Sequence, residues 1–179
     1  MTAEEIYESV TDGGATDFAE VVAILDEIGG WCLIGGLAVN SYVEPVYTVD
    51  ADIVVVSGES ERVRHRLSAA GYAIEDFAHS FNARKAPSKL SLQFTIDDRY
   101  QEFIATAARR EVLGENVPVA SLENVVRGKT WAWSDTQRRA TKRKKDELDL
   151  LRIAESYPEL RERMPPQIVA QLAQEQDEE

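Results

Sequence analysis

The sequence predicts an α+β fold, in which a small mixed β-sheet is flanked by helices and followed by a helical C-terminal portion. Two short apolar runs, at residues 31–34 and 49–56, resemble strands that are covered on both faces. Residues 90–96 alternate between apolar and polar side chains, as a half-buried strand does. From residue 121 onward the patterns are helical, so we expect the sheet to be built from the first two thirds of the chain.

Two helices are predicted ahead of the first strand. Residues 2–11 suit a short acidic helix that ends at Thr11-Asp-Gly-Gly14. Thr16 or Asp17 can cap a second helix, whose apolar stripe runs to Ile28 and whose end is marked by Gly29-Gly30.

The middle of the chain alternates between strand and helix patterns. After Gly35-Gly36, residues 37–42 return to helical character, and the strand at 49–56 follows Pro45. The remaining predicted elements are a helix at 59–70, a strand at 72–75 and a hairpin at 111–120.

Three helices are predicted in the last third, at 122–133, at 136–155 and after Pro165-Pro166. We therefore expect an α/β core of residues 1–120 and a helical C-terminal portion of residues 121–179 that packs on it. The tail from residue 174 is acidic, and we expect it to fray.

Composition excludes several classes of protein. A single cysteine, Cys32, rules out an intramolecular disulfide and a cysteine-based zinc site, and its apolar neighbours predict a buried side chain. No stretch approaches 18 consecutive apolar residues, so no membrane helix is expected. The acidic N-terminus is unlike a signal peptide, which predicts a cytoplasmic protein. The net charge of −12 argues against a chain-wide grip on nucleic acid.

Two features of the predicted sheet favour a site for nucleotide and metal. Gly35 and Gly36 separate a buried strand from a helix, where glycines let the backbone approach an anionic group, although glycines also end strands for structural reasons. Asp50 and Asp52 project from one face of the next strand. Two neighbouring carboxylates repel each other unless they are solvated at a strand end or share a cation, and all-oxygen ligation favours Mg²⁺ or Mn²⁺ over zinc.

This arrangement resembles the polymerase-beta-type nucleotidyltransferase superfamily. Its pattern is a strand, a glycine pair and then Asp-x-Asp on the following strand; here 13 residues separate Gly36 from Asp50. Residues 34–39 and 48–53 look most like the AbiEii/AbiGii-type branch, which includes toxins of toxin–antitoxin and phage-defence systems. A downstream Lys129, then Arg138-Arg139, then Lys145-Asp-Glu-Leu-Asp149 are similar to a second motif of that branch.

The resemblance implies a nucleotidyltransferase fold and a role for each matching residue. Gly35 and Gly36 would cradle the triphosphate, and Asp50 and Asp52 would hold the Mg²⁺ or Mn²⁺. Lys129 would neutralise charge on the nucleotide, and Asp146 would orient Lys129 or assist the acceptor. The reaction would be attack of an acceptor hydroxyl on the α-phosphate of a nucleoside triphosphate, with pyrophosphate leaving.

The chain departs from this family at two positions. Active members often carry a third carboxylate on a later strand, where this chain has Gln93; Asp97 lies at the end of that strand. Either Asp97 substitutes, or two acids suffice, or the protein is inactive. The branch also often has an arginine where this chain has Val46.

Residues 137–145 carry six positive charges in nine positions. They are either a solvated helix face or a surface on which Arg138, Arg139, Lys142 and Lys145 bind phosphate groups, of RNA or of the nucleotide.

Three functional hypotheses remain open. The first is a metal-dependent nucleotidyltransferase that acts on RNA (tRNA in particular), protein or a small molecule, as the toxin partner of a cognate antitoxin in one version. The second is a catalytically degenerate nucleotidyltransferase fold that binds nucleotide or a partner protein. The third is a structural or interaction domain whose aspartates form only a strand end.

Overall fold

A seven-stranded mixed β-sheet organises the first part of the chain in a computed structural model, which describes residues 1–176. The strand order is β3-β4-β5-β2-β1-β7-β6. The strands are β1 (Trp31–Ile34), β2 (Asp50–Val55), β3 (Ala73–Asp76), β4 (Ser80–Arg84), β5 (Ser91–Thr95), β6 (Ala108–Val112) and β7 (Glu115–Val119).

The helices precede, interrupt and follow the strands along the chain. They are α1 (Ala3–Val10), α2 (Gly14–Ile28), α3 (Gly35–Asn40), α4 (Ser60–Ala69), α5 (Asp98–Ala105), α6 (Leu122–Ser134), α7 (Ala140–Ser156) and α8 (Pro166–Gln176), with short 3₁₀ helices at Ser57–Glu59 and Pro158–Arg163. The acidic tail that we predict to fray, residues 174–179, lies outside the residues whose side chains the structure describes.

β2 occupies the centre of the sheet. It pairs antiparallel with β1 and parallel with β5, which explains why residues 51 and 53–55 are almost completely apolar and buried. Beside it, the buried rings of Phe81 and Phe94 stack at 4.6 Å between centroids. The central strand therefore has its polar residues only at its first and third positions, where Asp50 and Asp52 lie.

The chain divides into two compact units. The first unit contains the whole sheet and consists of residues 1–38 and 47–121. The second consists of residues 39–46 and the helical segment from residue 122 onward. Within the second unit, Leu150, Ile153 and Ile168 are fully buried and form part of its core.

Two elements escaped the sequence analysis, namely β4 and α5. β4 buries only Phe81 and Ala83, and α5 buries only Phe103, so neither carries a full hydrophobic pattern. α5 begins at a side-chain cap, since Asp97 accepts a hydrogen bond from the Arg99 backbone N–H at 2.9 Å. The helix predicted over 136–155 starts four residues later, at Ala140, because residues 135–138 form a turn in which the Arg138 N–H donates to the Asp135 carbonyl.

The predicted burial of Cys32 is confirmed, and burial raises the pKa of its thiol to about 12. Along residues 1–176, no helix has both the length and the apolar character that a membrane span needs.

Candidate functional site

The two aspartates of β2 share one face of the sheet. Asp50 and Asp52 are both half-buried, whereas Ala51 between them is fully buried on the other face. In the sheet register, Asp52 stands opposite Ile34 of β1 and opposite Gln93 of β5. The pair predicted from the sequence is therefore present, at the centre of the sheet and with access to solvent.

Gly35 follows β1 directly and lies against Asp52. Its φ is +71°, which favours glycine, and a Cβ placed on it would come within 2.1 Å of Asp52 Oδ2. A Cβ on Gly36 would meet only Thr48, at 3.6 Å or more, which is ordinary contact. The first glycine is thus required by the backbone and by Asp52, while a side-chain carbon at the second would be tolerated in ordinary contact with Thr48.

Gln93 takes the position of the expected third carboxylate. Its side-chain amide donates a hydrogen bond to Asp50 Oδ1 at 3.2 Å. An amide cannot accept the proton of an attacking hydroxyl, but it can orient the carboxylate that it contacts.

Asp97, the other candidate for a third carboxylate, is engaged at the start of α5. Its carboxylate accepts hydrogen bonds from the Arg99 backbone and from the Arg99 guanidinium, the shortest at 2.9 Å. The Arg99 side chain holds the pKa of the Asp97 carboxyl below its ordinary value. This makes Asp97 a weaker proton acceptor than an unpaired aspartate.

Two buried hydroxyl groups lie beside Asp50. Ser91 is the direct partner of Asp50 in the parallel β2–β5 register, and Tyr7 of α1 interacts electrostatically with the Asp50 carboxylate. Among the residues that the structure describes, Tyr7 Oη and Ser91 Oγ have no hydrogen-bond partner. Sequence analysis missed both, because Tyr7 is distant along the chain and Ser91 is an ordinary strand residue.

In the second unit, Lys129 is the centre of a buried ionic network. Its Nζ lies 2.9 Å from Asp146 Oδ1 and 2.8 Å from Asp149 Oδ2. Lys129 is 9% exposed and Asp146 only 1%. Arg138 Nε donates to the other oxygen of Asp146 at 2.8 Å. Three of the residues predicted from the second motif, Lys129, Arg138 and Asp146, are therefore in direct contact.

The network continues to the segment between α3 and β2. Arg152 pairs with Asp149 at 2.7 Å and also donates to Asn40 Oδ1 at 3.0 Å and to the Glu44 carbonyl. Asn40 in turn bridges to the backbone of Val46 through both its amide nitrogen and its oxygen. Residues 40–46 are thus held by α7 of the same unit.

Three of the six positive side chains in the basic run make contacts within the second unit. Arg138 pairs with Asp146, Arg143 donates to the Trp133 carbonyl at 2.9 Å, and Lys144 lies 3.0 Å from Glu147. Lys145 and Arg139 are exposed to solvent. Of the four residues predicted to bind phosphate groups, Arg138 is paired with Asp146, and phosphate binding by the run stays a prediction.

Solved structures with a similar backbone belong to nucleotidyltransferases and proteins like them. An antigenic nucleotidyltransferase-like protein from Paracoccidioides brasiliensis has a TM-score of 0.57 and 18% identity, over 93% of this chain and 90% of that one. The antibiotic-resistance factor ANT(2'')-Ia has a TM-score of 0.55 and 17% identity, over 83% of this chain and 95% of that one. The lincosamide antibiotic adenylyltransferase LnuA has a TM-score of 0.50 and 14% identity, over 75% and 94%. This is the nucleotidyltransferase fold.

The predicted fold class is therefore confirmed. No protein-family model and no curated protein sequence matches the chain. Because the sequence identities are low, these structures establish the fold, and the activity has to be argued from the site.

The aspartate pair within this nucleotidyltransferase fold suits a hard divalent cation. Its donors are all carboxylate oxygens on one face of the sheet, both residues are half-buried, and Asp52 lies against Gly35. Over residues 1–176, no group of three or more histidine, cysteine, aspartate or glutamate side chains is placed to hold a metal ion. A cation at Asp50 and Asp52 would therefore need further ligands from water or phosphate, as Mg²⁺ commonly takes.

Proposed function

We propose that the protein is a metal-dependent nucleotidyltransferase, which moves a nucleoside monophosphate from a nucleoside triphosphate to an acceptor hydroxyl. The observation that carries the proposal is the pair Asp50 and Asp52 on one face of the central strand, with Asp52 against Gly35. Like charges so close together are unfavourable without a counter-charge, and Mg²⁺ or Mn²⁺ bound to a triphosphate supplies one.

Each part of the site has an assigned task in this proposal. Asp50 and Asp52 hold the cation, and the backbone at Gly35 and Gly36 faces the phosphates. The cation, when bound, neutralises the charge that develops on the leaving group. In the second unit, Lys129, held by Asp146, belongs to a cluster of three cations and two carboxylates, whose excess of one positive charge suits a phosphate group. Arg138 and Lys145 add to the positive charge on the same unit.

The reaction is a substitution at the α-phosphorus. The acceptor oxygen forms a bond to this phosphorus, the bond to the oxygen that bridges the α- and β-phosphates breaks, and pyrophosphate leaves. The acceptor proton has to leave as well. Gln93 cannot take it, and the pKa of Asp97 is lowered by Arg99, so we assign its removal to solvent. Catalysis then rests on positioning and charge stabilisation.

The second candidate is a nucleotide-binding protein without turnover. Gln93 favours it, since its amide occupies the place of the family's third acid and is bonded to Asp50. A protein of this kind would keep the metal and nucleotide site and use it to bind a partner.

We also propose which acceptors and which biological role to test. Motif order favours the AbiEii/AbiGii-type branch, which makes RNA an acceptor to test and a toxin paired with an antitoxin a role to test. LnuA is named as an antibiotic adenylyltransferase, so small-molecule hydroxyls belong in the same assay. We place the reaction in the cytoplasm, where nucleoside triphosphates are made.

Label transfer tests the function. The purified protein is incubated with Mg²⁺ or Mn²⁺, each of the four α-labelled nucleoside triphosphates, and total RNA, total protein or aminoglycoside and lincosamide antibiotics. We expect transfer by the wild type and a loss of about a hundred-fold or more in Asp52→Asn. Glu75→Gln, a similar change at an exposed strand position, is the matched control and should retain activity.

Gln93→Glu separates the two candidates further. In an enzyme whose acceptor proton goes to solvent, a carboxylate here should raise the rate by about ten-fold or more, because it can act as a base. Metal-dependent nucleotide binding that needs Asp52, without transfer to any acceptor, would instead establish the binding protein.

A further inference from the structure

We propose that the buried hydroxyls of Tyr7 and Ser91 are positioning groups for Asp50, and that they become hydrogen-bonded when Asp50 turns to hold a divalent cation. This inference rests on the proposed function, because it concerns the same carboxylate. It assigns a role in the site to α1, which lies outside both motifs.

Ser91 is placed against Asp50 by the sheet itself. The two residues are partners in the parallel register of β2 and β5. Gln93, two positions further along β5, donates to Asp50 Oδ1, so the side chains of Ser91 and Gln93 stand on the same face as Asp50. Ser91 is 3% exposed, and its Oγ has no hydrogen-bond partner.

Tyr7 of α1 interacts electrostatically with the same carboxylate. It is 6% exposed, and its ring lies 6.4 Å from that of Tyr47, three residues before Asp50. Burial, with contributions from Tyr47 and Asp50, raises the pKa of the Tyr7 hydroxyl. This group therefore stays a neutral O–H, which can donate a hydrogen bond to the nearby carboxylate.

A buried hydroxyl without a partner costs stability, and such groups are rare in folded proteins. Here one of them belongs to the register partner of Asp50, and the other interacts electrostatically with the Asp50 carboxylate. A carboxylate offers about four acceptor positions. In our proposal, the Asp50 side chain turns when it holds the cation, and its oxygens then accept hydrogen bonds from these two hydroxyls. Metal-binding carboxylates are commonly held by such hydrogen bonds, and their loss weakens metal affinity by about ten- to a hundred-fold.

The inference makes opposite predictions for stability and for metal binding. Tyr7→Phe and Ser91→Ala each remove an unpartnered hydroxyl, so the metal-free variants should unfold at the same temperature as the wild type or higher. The same variants should bind Mn²⁺ about ten-fold more weakly, since Asp50 loses a donor that fixes it. A hydroxyl with no part in the site would change the first quantity only.

The experiment measures Mn²⁺ affinity and the thermal unfolding midpoint of the full chain without nucleotide. The variants are Tyr7→Phe, Ser91→Ala and the double variant. Thr130→Val is the matched control, because Thr130 Oγ1 in the second unit is also buried without a hydrogen-bond partner. It should gain stability in the same way and keep the wild-type Mn²⁺ affinity.

Weakened Mn²⁺ binding in the Tyr7 and Ser91 variants, together with an unchanged or raised midpoint and a silent Thr130→Val, is the expected result. Wild-type Mn²⁺ affinity in both variants would overturn the inference and leave the proposed function intact. A lowered midpoint would also overturn it, because the hydroxyls would then be bonded within the metal-free protein. If the wild type binds Mn²⁺ only together with a nucleoside triphosphate, the variants are compared in that complex. Failure of the wild type to bind Mn²⁺ in either state would refute the proposed function, and the inference with it.

Discussion

Gly35 and Gly36 are neighbours in the sequence, but the fold makes different demands on them. Gly35 has a positive φ and abuts Asp52, whereas a Cβ on Gly36 would make only ordinary contact with Thr48. The two positions therefore separate a structural role from a role in ligand binding.

We expect Gly35→Ala to destabilise the protein by roughly 1–3 kcal/mol, because of its φ and its clash with Asp52, and to abolish nucleotide binding. Gly36→Ala should leave the unfolding midpoint within about half a kcal/mol of wild type. It should nevertheless weaken binding of a Mn²⁺–nucleotide complex, if phosphates approach this backbone as proposed. Chemical denaturation and titration with a fluorescent nucleotide measure the two effects. Wild-type nucleotide affinity in both variants would contradict this reading of the glycines.

At the residue scale, the sequence was sufficient to predict the geometry of the aspartate pair, since side chains at i and i+2 of a strand share a face. It could not predict the role of Gly35 against Asp52, because that contact depends on the pairing of β1 with β2. The hydroxyls of Tyr7 and Ser91 were missed for the same reason: only the fold brings them to Asp50.

Among the elements, α6 and α7 are joined by buried charges rather than by apolar contacts alone. Lys129 on α6 is paired with two carboxylates on α7, Asp146 and Asp149. Removing one partner of a buried ion pair leaves an uncompensated charge, which is the costly case. If Lys129 is removed, Arg138 and Arg152 still neutralise part of the negative charge of Asp146 and Asp149.

Lys129→Met should therefore destabilise the second unit by about 3 kcal/mol. Lys145→Met, the same change at an exposed position of α7, should have an effect within about half a kcal/mol. Urea unfolding is followed by tryptophan fluorescence in variants that carry Trp31→Phe, so that Trp131 and Trp133 on α6 report on this unit. Equal midpoints for the two variants would show that the network contributes nothing to stability.

The elements that sequence analysis predicted well are those whose pattern is complete along their length. β2 and β5 show it, since continuous burial and strict alternation are unambiguous. α5 was missed because Phe103 is its only buried residue, and β4 because it follows an exposed stretch at 75–79. The contacts of Lys129 could not be predicted from the sequence. The i, i+4 spacing there suggests that Asp149 pairs with Lys145, whereas in the structure Asp149 pairs with Lys129 and Arg152.

For the molecule as a whole, the fold class followed from the order of elements and from one resemblance. The sequence did not predict that residues 39–46 belong to the helical unit. Contacts distant in sequence join them to it: Arg152 donates to Asn40, and Tyr157 donates to the Tyr42 carbonyl at 3.0 Å. The net charge of −12 opposes non-specific attraction of RNA, so any RNA acceptor has to be recognised locally. The net charge therefore constrains the acceptor, while the proposed activity depends on the metal and nucleotide site.

The central claim is that Asp50 and Asp52 together hold a nucleotide-bound divalent cation. A crystal structure with Mn²⁺ and a non-hydrolysable nucleoside triphosphate analogue, with anomalous diffraction to locate the metal, tests it most directly. We predict an anomalous peak in contact with carboxylate oxygens of both residues, about 2 Å away, with the triphosphate alongside Gly36. A well-ordered nucleotide bound elsewhere, with no metal at either aspartate, would contradict the account.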